Sequence, residues 1–140
     1  MGNKDYSSII LSIFKRKGGE GKYTKILPQE VSANILSELE SNEEILIFYY
    51  KNKVNYLLIT NFRLFQLHEG DRIIVNHREL KSIYPAMYEE FSDGVLDMKL
   101  FTRIKLFYNN NYSCVVYIEE GEPFSGILQV LSFLANQNNE

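Results

Sequence analysis

A chain of 140 residues has the length of one domain and buries about two-thirds of its unfolded surface, so a single core is expected. Hydrophobic residues make up 45% of it, with ten Tyr and nine Phe, which suits pleated, half-buried surfaces and excludes disorder except at the ends. The formal charge of −3 is uneven: residues 1–26 hold Lys4, Lys15, Arg16, Lys17, Lys22 and Lys25 against Asp5 and Glu20, net +4, leaving −7 on the remainder. So acidic a body argues against a non-specific nucleic-acid or anionic-membrane surface, which needs a basic face to neutralise phosphates, and leaves only the arm to serve that purpose.

The single Cys114 excludes an intramolecular disulfide framework, and His68 and His77 lack zinc-ligand spacing. A cytoplasmic location without metal or other cofactor is therefore expected. No apolar run approaches the ~20 residues needed to span a bilayer, and the run Ile9–Phe14 is followed by no small-residue cleavage site, so neither a transmembrane helix nor secretion is expected. Met1-Gly2 invites N-myristoylation, but that motif wants Ser or Thr at position 6, where Tyr6 stands.

In chain order, Tyr6, Ile9, Ile10, Ile13 and Phe14 fall at helical spacing and predict a short amphipathic helix. Its stripe has two readings: it packs on the domain or on a second copy, or it lies in a membrane interface with Lys15, Arg16 and Lys17 at anionic head groups. Gly18-Gly19-Glu20-Gly21-Lys22 reads as a flexible link. A phosphate-binding loop would need Gly where Arg16 stands and Ser or Thr where Tyr23 stands. The chain thus divides into an arm, 1–26, and a domain, 27–140. Pro28 opens a second predicted helix, buried through Val31, Ile35, Leu36 and Leu39 and ending at Ser41-Asn42.

Residues 43–78 contain four short runs of alternating apolar character separated by Asn52-Lys53, Asn61-Phe62 and Gly70-Asp71, the pattern of an antiparallel meander. The last turn pairs residue 68 with 73 and 77 with 64, which keeps His68 and His77 apart. Residues 79–90 surround Pro85 and predict a bent or edge strand. From Val95 to Tyr108 period two is continuous, predicting one long strand with room for a bulge near Thr102. Asn109-Asn110-Asn111 turns the chain into a last strand, 112–118. Glu119, Glu120, Glu122 and Pro123 mark the start of a helix with a stripe of Phe124, Ile127, Leu128, Leu131, Leu134 and Ala135. Val130 and Phe133 lie outside that stripe and need another neighbour, so Ile9, Ile13, Phe14, Val130 and Phe133 are the candidate helix-docking or oligomer residues. The expected interior comprises Leu58, Leu64, Met98, Leu100, Ile104, Leu106, Val116 and Ile118, capped by Phe124, Leu128 and Leu131.

The result is a mainly β fold with helices, about seven strands followed by one C-terminal helix and preceded by N-terminal helices. This order resembles the pleckstrin-homology superfold, a bent antiparallel barrel or sandwich capped by its last helix. Locally, Leu58-Ile59-Thr60-Asn61-Phe62-Arg63-Leu64 resembles the l-x-T-N-x-R-L segment of GRAM and bacterial pleckstrin-homology-like domains. Leu39 to Leu46 is similar to their L-x-x-x-E-x-I-L lead into the first strand, and Leu80-Lys81-Ser82-Ile83 to their L-x-x-I. The resemblance covers residues 36–136.

Domains of that superfold often bind phosphoinositides or protein segments. The resemblance implies candidate binding positions at Lys51 and Lys53 in the first hairpin and at Arg63. Phe65 stands where a second arginine would help, so selective inositol-phosphate recognition is not expected. No paired base and nucleophile or facing carboxylates are visible, so an enzyme is not expected. The expected function is a non-enzymatic binding module engaging a protein, or peripherally the inner face of a membrane through Lys15, Arg16 and Lys17. The alternative is a self-assembling structural protein or a dedicated inhibitor.

Overall fold

The structure, a computed structural model, describes residues 5–109 and 111–139. Met1-Gly2, with its myristoylation reading, and Asn110 of the last hairpin lie outside them. The fold is mixed α/β. One antiparallel sheet has the order β1 (Thr24–Ile26), β2 (Ile45–Asn52), β3 (Asn55–Thr60), β4 (Arg63–His68), β5 (Asp71–Asn76); a second has β6 (Leu80–Pro85), β7 (Arg103–Tyr108), β8 (Tyr112–Tyr117). The helices are α1 (Ser7–Lys17), α2 (Ala33–Leu36), α3 (Met87–Ser92) and α4 (Glu122–Asn138).

The meander forms because its turns suit hairpins. Glu69 and Gly70 both take positive φ, 48° and 90°, as a two-residue hairpin loop of the primed type requires. The turn is therefore one residue earlier than the sequence suggests, pairing His68 with Asp71 and Leu64 with Val75. In β2 a register shift between Ile45 and Ile47 lets Leu46 and Ile47 both join the main core, while Ile45 and Phe48 face the other side. Both sides of this sheet are covered. The main core fills the space between the sheets, and Val31, Ile35 and Leu39 close a smaller cluster with Phe48, Leu58 and Phe65 on the outer face. Leu58 is thus buried, but outside the main core.

Three expectations change. The second helix shrinks to α2, because the Ser32 hydroxyl caps the Ile35 N–H and the Ser37 hydroxyl turns back to the Asn34 carbonyl; Leu36 is left exposed. Residues 79–90 become β6 and then α3, with Pro85 at the strand's end. The long strand from Val95 reduces to β7. Its first half instead folds through a single 3-10 turn at Met98–Leu100, capped by the Asp97 carboxylate, so Met98 and Leu100 are exposed rather than interior. Ile104, Leu106, Val116 and Ile118 are buried as alternation requires.

Helix α4 packs on β6 and on α1, and this accounts for the residues outside its expected stripe. Val130 is fully buried, and Phe133 meets Tyr6 edge-on with ring centroids 5.7 Å apart. Ile10, Ile13 and Phe14 enter the main core, whereas Ile9 faces solvent, so the docking face is centred one position further along. Leu128 is half-buried beside the fully buried Leu131. The glycine link is held in place rather than free. The Glu119 carboxylate accepts from Lys22 N–H (2.7 Å), Tyr23 N–H (2.8 Å) and the Thr24 hydroxyl (2.9 Å).

Gly18 abuts the backbone of α4, so a Cβ there would collide with the Glu122 carbonyl and with Gly126. A Cβ on Gly126 would lie 2.6 Å from the Phe14 ring. Gly126→Ala gains up to about 1 kcal/mol of intrinsic helix preference, yet it is expected to lower stability by about 1–3 kcal/mol through overpacking. Denaturant titration checks this, and dye binding should rise as α1 lifts from α4.

Candidate functional site

Between β6 and β7 the chain leaves the sheet for residues 86–102, and the base of this insertion is clamped by charge. The Glu90 side chain, 1% exposed, accepts hydrogen bonds from Thr102 N–H (2.6 Å) and Arg103 N–H (2.9 Å). The Arg103 guanidinium donates to the Glu89 carbonyl (2.7 Å) and pairs with Asp93. Lys105 pairs with Glu89 at 3.7 Å. The two bonds from Thr102 N–H and Arg103 N–H to Glu90 take the place of the strand pairing that period two suggests, because they give these backbone donors a charged acceptor.

The clamped segment turns large apolar side chains outward. Tyr88 is 79% exposed, Leu96 74%, Met98 58% and Leu100 50%, and Met87 and Phe91 accompany them. Phe91 meets the buried Phe101 edge-on, tying the segment to the core. Beside it a groove of ≈ 650 Å³ is lined by Arg16 and Lys17 from the end of α1, Met98 and Lys99 from the insertion, and Glu122 and Leu128 from α4. The Ser125 hydroxyl donates to the Lys17 carbonyl at 2.7 Å, fixing that end of α1. The structure thus sets two predicted cations next to apolar residues that alternation had assigned to a strand interior. The signal for the insertion was local: Ser92-Asp93-Gly94 and Asp97 are turn and cap residues.

The other predicted positions do not converge there. Lys15 is exposed on the last turn of α1, and Lys51 and Lys53 are exposed in the β2–β3 hairpin. Arg63 is not a free cation: its Nε is 2.8 Å from Glu43, whose side chain is 1% exposed, and its guanidinium donates to the Glu38 carbonyl. The Thr60 hydroxyl bonds Glu43 (2.6 Å) and accepts from Arg63 N–H (3.0 Å), while Asn61 joins Glu44 N–H to the Asn42 carbonyl. The Thr-Asn-x-Arg segment therefore locks the lead into β2 to the β3–β4 turn. Burial opposes ionisation of Glu43, but hydrogen bonds from Arg63 and Thr60 outweigh it and hold the carboxyl below its usual range. A second groove, of ≈ 580 Å³, runs between Pro28–Ser32 and the rings of Tyr23, Phe48 and Tyr50. The outer edge of β1 beside it is already covered, by Gly21 N–H on the Thr24 carbonyl and by the Glu20 carboxylate on Ile26 N–H.

Comparison of the chain with models of known protein families, with curated proteins and with solved structures finds no match. Among the described residues no helix is long and apolar enough to cross a membrane, and no cluster of three or more His, Cys, Asp or Glu is placed to hold a metal ion. His68 stacks on Tyr117 with centroids 3.7 Å apart, far in register from His77.

His77 is buried with Nε2 2.7 Å from the Thr60 carbonyl, so Nε2 carries the proton, and burial pushes the imidazole down to about 4. The unfolded chain, titrating near 6.5, binds the extra proton more readily. Stability is therefore complete above pH 6.5 and falls as the pH drops towards 4. Between pH 7 and pH 5 the loss is expected to be about 2 kcal/mol, in a range where Glu43 remains ionised. Urea titrations at the two values check this, and a His77→Gln variant should lose most of the dependence.

Proposed function

We propose that this protein is a non-enzymatic binding module of pleckstrin-homology-like architecture that attaches peripherally to an anionic lipid surface through its 86–102 insertion and the basic end of α1. The architecture is supported by the order of elements: the β2–β5 meander faces the β6–β8 sheet, and α4 follows the last strand and packs on β6. The interlock of Glu43, Thr60 and Arg63 joins the two segments that carry the family resemblance.

The observation that carries the function is the outward apolar insertion held rigid by Glu90 and Arg103. Side chains as exposed as Leu96 and Tyr88 protrude, and a fluid acyl boundary accepts a protruding apolar tip without a shaped partner. Tyr84 and Tyr88 have the amphipathic character of interfacial residues. Arg16, Lys17 and Lys99 lie beside Met98, where each contributes about 1 kcal/mol near an anionic surface. Attachment then depends on charge rather than on recognition of one head group, because Arg63 is bound to Glu43.

Co-sedimentation with phosphatidylserine-containing vesicles tests this. Binding is expected to weaken with added salt, to fall by more than tenfold in a Leu96→Ser, Met98→Ser, Leu100→Ser variant, and to show no preference for phosphorylated inositol lipids. Absence of vesicle binding overturns the reading. If the same triple variant instead turns a solution dimer into a monomer, the patch covers a second copy of the chain.

A further inference from the structure

We propose that the mouth between the two sheets, at the ends of β4 and β8, is a subsite for a single carboxylate group. The cavity, ≈ 180 Å³, is lined by Lys51 and Asn55 from the first hairpin, Gln66, His68 and Glu69 from β4 and its turn, Thr102 from the end of the insertion and Tyr117 from β8 of the facing sheet. Among the described residues it shares only Thr102 with the insertion and none with the groove beside it, so it stands independently of lipid attachment.

Gln66 directs the assignment. It is 1% exposed, and its Oε1 accepts from Tyr117 N–H at 2.6 Å, joining the two sheets. A peptide N–H can only donate, so it fixes the amide orientation and makes the other atom the –NH2 group. That Nε2 is buried and has no hydrogen-bond partner among the described residues. A buried donor without an acceptor is costly, commonly as much as the bond it lacks, so a ligand that supplies an acceptor binds favourably. The stacked rings of His68 and Tyr117, with planes 6° apart, form a flat wall against which a planar group can lie.

The charge around the mouth selects the ligand. Among the described lining residues Lys51 is the one Lys or Arg and Glu69 stands on the same rim, so that lining is close to neutral. A phosphate dianion would meet one cation and one carboxylate. A carboxylate monoanion needs one ammonium and one or two neutral donors, which Lys51, the Gln66 amide and the Thr102 hydroxyl supply. The volume suits the end of a small acid or of a peptide rather than a sugar phosphate.

The test is a titration of the ¹⁵N-labelled full chain with propionate, observing the Gln66 side-chain amide and the Tyr117 backbone amide, with inorganic phosphate at equal ionic strength as control. A saturable shift is expected with propionate and a weaker one with phosphate. Lys51→Met, at an exposed position, should weaken propionate binding about tenfold. Gln66→Glu keeps the acceptor for Tyr117 N–H while replacing the donor, and should abolish binding. A short peptide with a free C-terminus binding more tightly than propionate identifies the source as a protein end, and equal binding identifies a free acid. The proposal is overturned if propionate produces no saturable shift, if phosphate binds as tightly, if Lys51→Met leaves affinity unchanged, or if an amidated peptide binds as well as the acid.

Discussion

The close approach of α1 to α4, over Gly18 and Gly126, is the contact on which the rest of this structure depends. Without side chains at these two positions, the Phe14 ring reaches the α4 backbone and Ile10 and Ile13 complete the main core. The contact buries apolar surface that an isolated α1 would leave in water, and eleven residues are too few for a helix to be stable alone. It has a second effect. Holding the end of α1 against Glu122 and Ser125 brings Arg16 and Lys17 to the insertion, so the core contact also assembles the candidate surface.

Three carboxylates brace the structure at points where regular pairing stops. Glu119 gathers backbone N–H groups ahead of β1, Glu43 joins the lead into β2 to the β3–β4 turn, and Glu90 closes the base of the insertion. Each meets donors that would otherwise lose their partners, and a hydrogen bond to a charged acceptor contributes roughly 1.5–3 kcal/mol. Glu43 and Glu90 also face an arginine, which makes their burial tolerable. Arg63 and Arg103 are therefore structural. A basic residue near a hairpin is a binding candidate only when no such carboxylate lies within reach.

The insertion shows how local chemistry overrides periodicity. From Val95 to Tyr108 the apolar alternation is unbroken, but a strand also needs a neighbour for its backbone. β6 supplies one only from Leu80 to Pro85, so pairing with β7 ends at Ile104. Beyond it, Asp97 and Glu90 satisfy the backbone instead; Phe101 turns into the main core, while Leu96, Met98 and Leu100 are left with no core to enter. Both candidate sites are places where ordinary satisfaction fails: apolar side chains remain in water at the insertion, and a buried amide lacks an acceptor in the mouth.

What the sequence determined by itself is what rests on neighbours in the chain. The meander, the β7–β8 hairpin, the amphipathic α1 and α4 and the Pro123 start of α4 follow from spacing and from turn and cap residues, which act over a few positions. The turn at Glu69-Gly70 was displaced by one residue because a positive φ at Glu69 is invisible in its identity. Only the tertiary structure decided that Ile9 faces solvent while Val130 is buried, that Arg63 is consumed by a glutamate 20 residues away, and that Gln66 and Lys51 share a cavity. Those outcomes depend on which faces meet across the core, and side chains separated by tens of residues carry no local mark of the partner that folding brings to them.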